Sequence, residues 1–134
     1  MSADKEAIEK RTRAAVEAYV GAWRDNDRDA LLAAFAEGAV WEDPVGTPPW
    51  VGREKIGEFW DQAHAGGQEL EPRVDRIVVC GNEAVMLFRM VVRHPGGGGM
   101  ALDVADQFEV DDHGKIRVAK AYWDAACMVP LEEC

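Results

Sequence analysis

The residue with the clearest potential for acid–base chemistry is Asp106, a carboxylic acid in a strand-like run whose neighbours are apolar. Four apolar residues share its strand face at alternate positions: Leu102, Val104, Phe108 and Val110. A carboxyl group on such a face is desolvated, which raises its pKa and favours the neutral acid, a hydrogen-bond donor. The alternatives are a buried aspartate satisfied by backbone donors and an irregularity of strand register. Asp103 alternates onto the other face and is expected to be a solvated charge.

A second candidate, Tyr19, falls within the apolar stripe of a predicted helix. Its companions at helical spacing are Val16, Val20 and Trp23. A buried phenol keeps its ring dry but needs a partner for its hydroxyl group. An ordinary core tyrosine is the alternative interpretation.

The third candidate is Asp43, which follows Val40-Trp41 at the end of a short predicted strand and precedes Pro44. An aspartate before proline is often turn chemistry alone. If the strand runs along a pocket, however, the carboxylate of Asp43 points into it and can act as a base.

Metal, nucleophile and phosphate sites find little support. His64, His94 and His113 are scattered, and the sequence has neither a HExxH nor a GxSxG motif. We expect His64 and His113 at the surface. The run Gly96–Gly99 is followed by a strand-like segment, so it predicts a hairpin loop rather than a phosphate-binding loop. The sequence therefore predicts neither a metal site nor a phosphate-binding loop.

Length and charge limit the partners. The 134 residues fit one domain, 1–134, and the net charge of −10 (15 basic against 25 acidic residues) argues against nucleic acid and anionic membranes. A neutral, apolar small molecule is compatible with that charge.

The cysteines, Cys80, Cys127 and Cys134, are odd in number and lack a CxxC spacing, which predicts reduced thiols and a cytoplasmic location. We expect Cys134 to oxidise most readily. Residues 1–13 are charged and lack the apolar core of a secretion signal.

Periodicity predicts helices first and strands afterwards, an α+β order. Predicted helices cover Lys5 to Arg24, a segment from Asp27 or Asp29 to Gly38, and Arg53 to Ala65. Predicted strands cover Val40 to Glu42, Val74 to Val79, Ala84 to Val92, Met100 to Val110 and Lys115 to Met128. A curved mixed or antiparallel sheet wrapped around the three helices would form a cone with an internal apolar pocket.

Several segments together resemble the bacterial steroid Δ5-3-ketosteroid isomerases of the nuclear-transport-factor-2-like superfamily. Glu42-Asp43-Pro44-Val45-Gly46, with Pro48-Pro49 and Gly52-Arg53-Glu54, resembles the segment around their catalytic base. The run from Ala101 to Asp106 resembles the strand that carries their second aspartate, and Ala121-Tyr122-Trp123 resembles a segment that lies after that strand in the family. Tyr19, in Ala18-Tyr19-Val20, falls where their oxyanion-hole tyrosine falls. The resemblance covers nearly the whole chain.

The resemblance implies a cofactor-free homodimer that isomerises 3-oxo-Δ5-steroids, with Asp43 as base and Tyr19 and Asp106 as the oxyanion hole. It also implies a set of pocket residues, for which core packing is the alternative: Phe59, Met86, Phe88, Met90, Val104 and Trp123. Positions that hold further tyrosines in some members hold Phe35 and Trp60 here, which changes the surroundings of Tyr19. Two rival functions remain open: an acid–base enzyme similar to polyketide cyclases, and a non-catalytic binder of sterols or other apolar ligands.

Overall fold

In the computed structural model, which describes residues 2–131, helices and strands follow the predicted α+β order. The helices are α1 (Ser2–Arg24), α2 (Arg28–Ala34) and α3 (Arg53–Ala63). The strands are β1 (Phe35–Glu42), β2 (Trp50–Val51), β3 (Glu69–Cys80), β4 (Glu83–Arg93), β5 (Gly99–Val110), β6 (Ile116–Tyr122) and β7 (Met128–Pro130). The prediction about Cys134 falls outside the described residues.

Within residues 2–131, one mixed sheet holds all seven strands in the order β2-β1-β6-β5-β4-β3, with β7 also paired to β5. β1 runs parallel to β6, and the other pairs are antiparallel. Register shifts between Val74 and Arg76 and between Glu109 and Val110 interrupt the long strands, and irregularities of this kind bend a sheet. The sheet is curved and open, and its inner face packs against the helices. The predicted α+β class is confirmed.

The first helix, α1, belongs to the layer that packs against the inner face of the sheet. Its apolar stripe is buried as the spacing predicted, and Val16 at its centre is fully enclosed. At the start of α2, Asp27 is the N-cap, because its Oδ1 accepts a hydrogen bond from the backbone N–H of Ala30 at 3.0 Å. No helix of the described residues is both long enough and apolar enough to cross a membrane.

The second helix is shorter than predicted, because the chain turns into β1 at Phe35 rather than stopping at Gly38. The Phe35 side chain is fully buried, and its carbonyl accepts hydrogen bonds from Nε and Nη2 of Arg53 at 2.9 and 2.7 Å. These contacts hold Phe35 extended, so tertiary packing overrides the helical pattern. Gly38 lies inside β1, where the register with β6 is irregular.

Two strand predictions were also wrong in extent. β3 begins at Glu69 and runs through Pro72, which the sheet tolerates because β3 is an edge strand. The predicted strand from Lys115 to Met128 ends at Tyr122. Asp124 then caps a short 3₁₀ turn by accepting a hydrogen bond from the backbone N–H of Ala126, and the chain re-enters the sheet as β7.

Candidate active site

A cavity of about 180 Å³ lies between the inner face of the sheet and helices α1 and α3. Its walls are formed by Tyr19, Trp23, Trp41, Asp43, Phe59, Ala63, Leu70, Phe88, Met90, Leu102, Val104, Asp106 and Trp123. Most of this lining is apolar, and its titratable members are Tyr19, Asp43 and Asp106. Apolar walls with a few converging polar groups are typical of small-molecule sites.

The three predicted acid–base residues thus meet in one cavity. Five of the predicted pocket residues are also in its wall: Phe59, Phe88, Met90, Val104 and Trp123. Met86 is not in the wall. It is 1% exposed in the core, where it pairs with Asp106 on β5 and Ile77 on β3, so neighbouring side chains enclose it completely.

Asp106 lies in the middle of β5, between Met86 of β4 and Ala121 of β6. The alternation of β5 turns its side chain inward with Val104 and Phe108, and Asp106 is only 4% exposed. The Tyr19 hydroxyl donates to its Oδ2 over 3.4 Å, a long contact, while Oδ1 has no partner among the described residues. Burial, and next the negative charge of Asp43, raise the pKa of Asp106 well above its usual value. The surroundings therefore favour a neutral carboxylic acid at pH 7.

Tyr19 reaches the cavity from α1 and is fixed by aromatic rings. Its ring centroid lies 4.9 Å from that of Phe108 and 5.8 Å from that of Trp41, both in edge contacts. Burial, followed by the nearby carboxyl groups of Asp106 and Asp43, raises the pKa of Tyr19 well above its usual value. The phenol therefore stays protonated and can act as a donor.

Asp43 follows the end of β1 and is half-buried at the cavity wall. Its Oδ1 accepts a hydrogen bond of 2.7 Å from Nε1 of Trp123, just beyond β6. The loop after Asp43 is tied to β6 through the backbone N–H of Val45 and the carbonyl of Ala121, at 2.8 Å. Burial raises the pKa of Asp43, and the Trp123 hydrogen bond opposes that rise. Of the two cavity aspartates, Asp43 is therefore the one whose surroundings better stabilise the ionised carboxylate.

Sequence reasoning missed part of the site. Leu70 and Leu102 are in the wall, as are Trp23, Trp41 and Ala63. The stripe of α1 had identified Trp23 as a buried residue but not as a cavity residue. His64 was predicted to lie at the surface but is half-buried: its ring stacks on that of Trp23 at 5.7 Å and lies tilted against that of Trp60 at 4.3 Å. His113 is exposed as predicted.

A larger cleft of about 470 Å³ lies outside the cavity and shares Leu70 with it. Its walls include Arg24, Arg93, Glu69 and Glu71, which are charged, and Arg93 is paired with Glu71 at 2.8 Å. The cleft lacks the buried acids of the cavity, so the cavity is the better candidate for chemistry. Among the described residues, no group of three or more His, Cys, Asp or Glu side chains is arranged to hold a metal ion.

Comparisons with known proteins relate the whole chain to others of similar sequence and fold. The chain is 28% identical over 117 residues to a steroid Delta-isomerase of Nocardioides simplex, a match that covers 87% of this chain and 93% of that protein. In fold it is similar to a Mycobacterium tuberculosis protein solved in complex with estradiol-17beta-hemisuccinate, with a TM-score of 0.81, 21% identity and 89% and 98% of the two chains covered.

It is also similar to SalBIII, an epoxide hydrolase/cyclase-like enzyme of pyran ring formation in the polyether salinomycin. The TM-score is 0.81 at 21% identity, and 92% of this chain and 98% of that chain are covered. At such identities the two structures show the fold alone. The SnoaL-like domain model matches residues 16–119, which include the three candidate acid–base residues. The chain therefore belongs to the SnoaL-like domain family.

Proposed function

We propose that the protein is a steroid Δ-isomerase that converts a 3-oxo-Δ5-steroid into its conjugated 3-oxo-Δ4 isomer. The observation that carries the proposal is a single apolar cavity holding two aspartates in opposite surroundings. Asp43 is half-buried and accepts a hydrogen bond from Trp123, which favours its carboxylate. Asp106 is enclosed beside Tyr19, and this burial favours its neutral, protonated form. Titratable groups whose surroundings separate their protonation states mark an acid–base pair.

The reaction follows from these protonation states. The Asp43 carboxylate removes a proton from the carbon between the ketone and the C=C bond, and the electron pair moves onto the ketone oxygen as a dienolate. Tyr19 and neutral Asp106 donate hydrogen bonds to that oxygen. Asp43 then returns the proton to the far end of the dienolate, two carbons away, and regains its charge. The reaction is redox-neutral, and Tyr19 and Asp106 supply the stabilisation of the dienolate oxygen, so the proposed mechanism uses neither a metal nor a cofactor.

The cavity favours a neutral ligand, because its lining contains no lysine, arginine or histidine among the described residues. Its volume of about 180 Å³ is below the roughly 300–1,000 Å³ usual for drug-sized ligands. The reacting end of a steroid would occupy the cavity, and the rest of the ligand would extend through its mouth. The steroid named in the complex of the Mycobacterium tuberculosis protein and the activity named for the Nocardioides simplex protein support this ligand class.

The proposal includes a homodimer formed through the outer face of the sheet, in the cytoplasm as the cysteine content predicts. The register places Leu87 in one row across the sheet with Arg76, Ala105 and Tyr122. Val85 lies in the next row, beside Val78. Exposed large apolar residues on this face include Val78, Val85, Leu87 and Tyr122. Such a face fits contact with a second copy.

An acid–base cyclase is the second candidate. A neutral acid and a carboxylate facing one cavity can also protonate a leaving oxygen and activate a nucleophile. The likeness to SalBIII supports this class of reaction. A non-catalytic sterol binder is the third candidate, and it has no need of a base.

The test is to follow conjugated-enone absorbance with 5-androstene-3,17-dione as substrate. An isomerase gives a rise that depends on enzyme concentration and is lost in Asp43→Asn. A binder gives no turnover with this ketone, and Asp43→Asn leaves its steroid affinity nearly unchanged. Absence of turnover by the folded protein would reject the isomerase proposal.

A further inference from the structure

Two buried side-chain polar atoms of the described residues lack a hydrogen-bond partner, and both belong to the cavity wall. One is Oδ1 of Asp106, which the proposed reaction uses. The other is the indole nitrogen Nε1 of Trp23, which it does not use. A buried donor left unpaired is unfavourable, so such a group calls for a partner in the working state of the protein.

The position of Trp23 identifies that partner. Trp23 follows Tyr19 by one helical turn on the same face of α1, and the two rings make an edge contact at 6.3 Å. Burial raises the pKa of Tyr19, and the indole N–H of Trp23 lies near enough to the Tyr19 hydroxyl to oppose part of that rise, although the contact falls short of a formed hydrogen bond. The hydroxyl is itself held only by the 3.4 Å contact to Asp106. The hydroxyl hydrogen can therefore rotate about the C–O bond while the ring stays in place.

We propose that the indole N–H of Trp23 donates a hydrogen bond to the Tyr19 hydroxyl oxygen when Tyr19 donates its own proton to the ligand oxygen. A hydroxyl group has one donor and two acceptor lone pairs, so both bonds can form together. Hydrogen bonds in a chain strengthen one another in a low-dielectric interior. Trp23 is thus a positioning residue, which acts through Tyr19. The kinetic part of this inference rests on the proposed isomerase function.

Trp60 offers a matched control. It has the same residue type and the same 4% exposure as Trp23, and the two rings pack at 4.5 Å. Trp60 does not line the cavity, and its indole nitrogen is not one of the two orphaned atoms. Trp23→Phe and Trp60→Phe therefore make the same truncation in one aromatic cluster, but only the first removes the N–H beside Tyr19.

The first measurement uses the indole N–H signals in a ¹H–¹⁵N spectrum, with estradiol as a phenolic probe. The chain has five tryptophans, and loss of one signal in Trp23→Phe assigns Trp23. We expect the Trp23 signal to move downfield as estradiol is added and this movement to disappear in Tyr19→Phe. A Trp23 signal that estradiol does not move, or moves equally in Tyr19→Phe, overturns the assignment.

The second measurement compares kcat and KM of the two variants with 5-androstene-3,17-dione. The hydrogen bond strengthens as charge develops on the ligand oxygen, so Trp23→Phe should lower kcat about tenfold and leave KM nearly unchanged. Trp60→Phe should retain kcat within about twofold. Equal losses in the two variants overturn the role of Trp23 while leaving the isomerase proposal intact. Absence of turnover in the wild type, with the Tyr19-dependent signal shift present, rejects the isomerase and keeps the hydrogen bond as a ligand-binding contact.

Discussion

Asp103 and Asp106 belong to the same strand, β5, yet the two faces of the sheet give them opposite properties. On the outer face, Asp103 is exposed and accepts hydrogen bonds from Nε and Nη2 of Arg89 at 2.7 and 3.0 Å, which lower its pKa. On the inner face, Asp106 is enclosed beside Tyr19 in a cavity wall to which residues 2–131 contribute no basic side chain, and burial raises its pKa. The comparison shows that position in the strand alternation, rather than residue type, decides which carboxyl group can serve as an acid.

The largest expected effect tests whether the chemistry belongs to the inner face at all. Asp43→Asn removes the proposed base, so kcat should fall by about 10²–10⁴, the usual worth of general-base catalysis. Asp103→Asn makes the same chemical change on the outer face and should leave kcat unchanged. Steady-state rates with 5-androstene-3,17-dione measure both, after circular dichroism confirms folding. A folded Asp43→Asn variant with most of its activity would contradict the base assignment.

The next effect separates a hydrogen-bonding acid from a charge. Asp106→Leu removes an oxyanion-hole donor and should lower kcat by about 10²–10³. Asp106→Asn keeps a donor in nearly the same shape and should retain substantially more activity. The order Asp, Asn, Leu is expected from rates measured with one Δ5-ketone. If Asn and Leu were equally active, the oxyanion-hole role of Asp106 would have to be abandoned.

The same two faces explain what the sequence could and could not predict. Alternation in β5 carries its own evidence, because each residue of the run reports its face, and so the burial of Asp106 was predictable. The end of α2 was not, since the extended conformation of Phe35 depends on hydrogen bonds from Arg53, distant in sequence. The break after Tyr122 likewise depends on the cap formed by Asp124.

The site shows the same division. Tyr19 and Asp106 stood out as polar groups within apolar patterns, and Asp43 as an acid at a strand end. The hydrogen bond from Trp123 to Asp43 joins residues from the two halves of the chain, and no local pattern in either segment specifies it. Leu70 is in the wall because β3 begins before Pro72, where the sequence suggested a later start.

A third prediction concerns stability: Asp106 and Asp103 should change the free energy of unfolding with pH in opposite directions. Because the pKa of Asp106 is raised by folding, the native state keeps a proton that the unfolded chain releases above about pH 4. The free energy of unfolding of the wild type, relative to Asp106→Asn, should therefore fall as pH rises towards the native pKa, by about 1.4 kcal/mol per pH unit. Urea unfolding of both proteins across this range measures the difference.

Asp103 provides the opposite case for that measurement. Its pKa is lowered in the folded state, first by the Arg89 hydrogen bonds, so its contribution is present above the unfolded pKa and is lost as pH falls. The wild type relative to Asp103→Asn should thus lose stability towards acid. If the differences in unfolding free energy for Asp106→Asn and Asp103→Asn changed with pH in the same direction, the two faces of the sheet would not give these aspartates opposite pKa shifts.

The smallest expected effect concerns how the inner face keeps one of its own acids ionised. Trp123→Phe removes the indole N–H that donates to Asp43 Oδ1 at 2.7 Å and opposes the rise of the Asp43 pKa caused by burial. Without that donor the pKa of Asp43 rises further, so the acid limb of the kcat/KM profile should move to higher pH. Once ionised, the more basic carboxylate abstracts a proton at least as well, so kcat on the alkaline plateau should stay within a few-fold of the wild type. Trp50→Phe, which removes an indole outside the cavity wall, should leave the limb in place. A limb unmoved by Trp123→Phe would mean that the protonation of Asp43 is set by burial alone, and the difference between the two inner aspartates would then need another source.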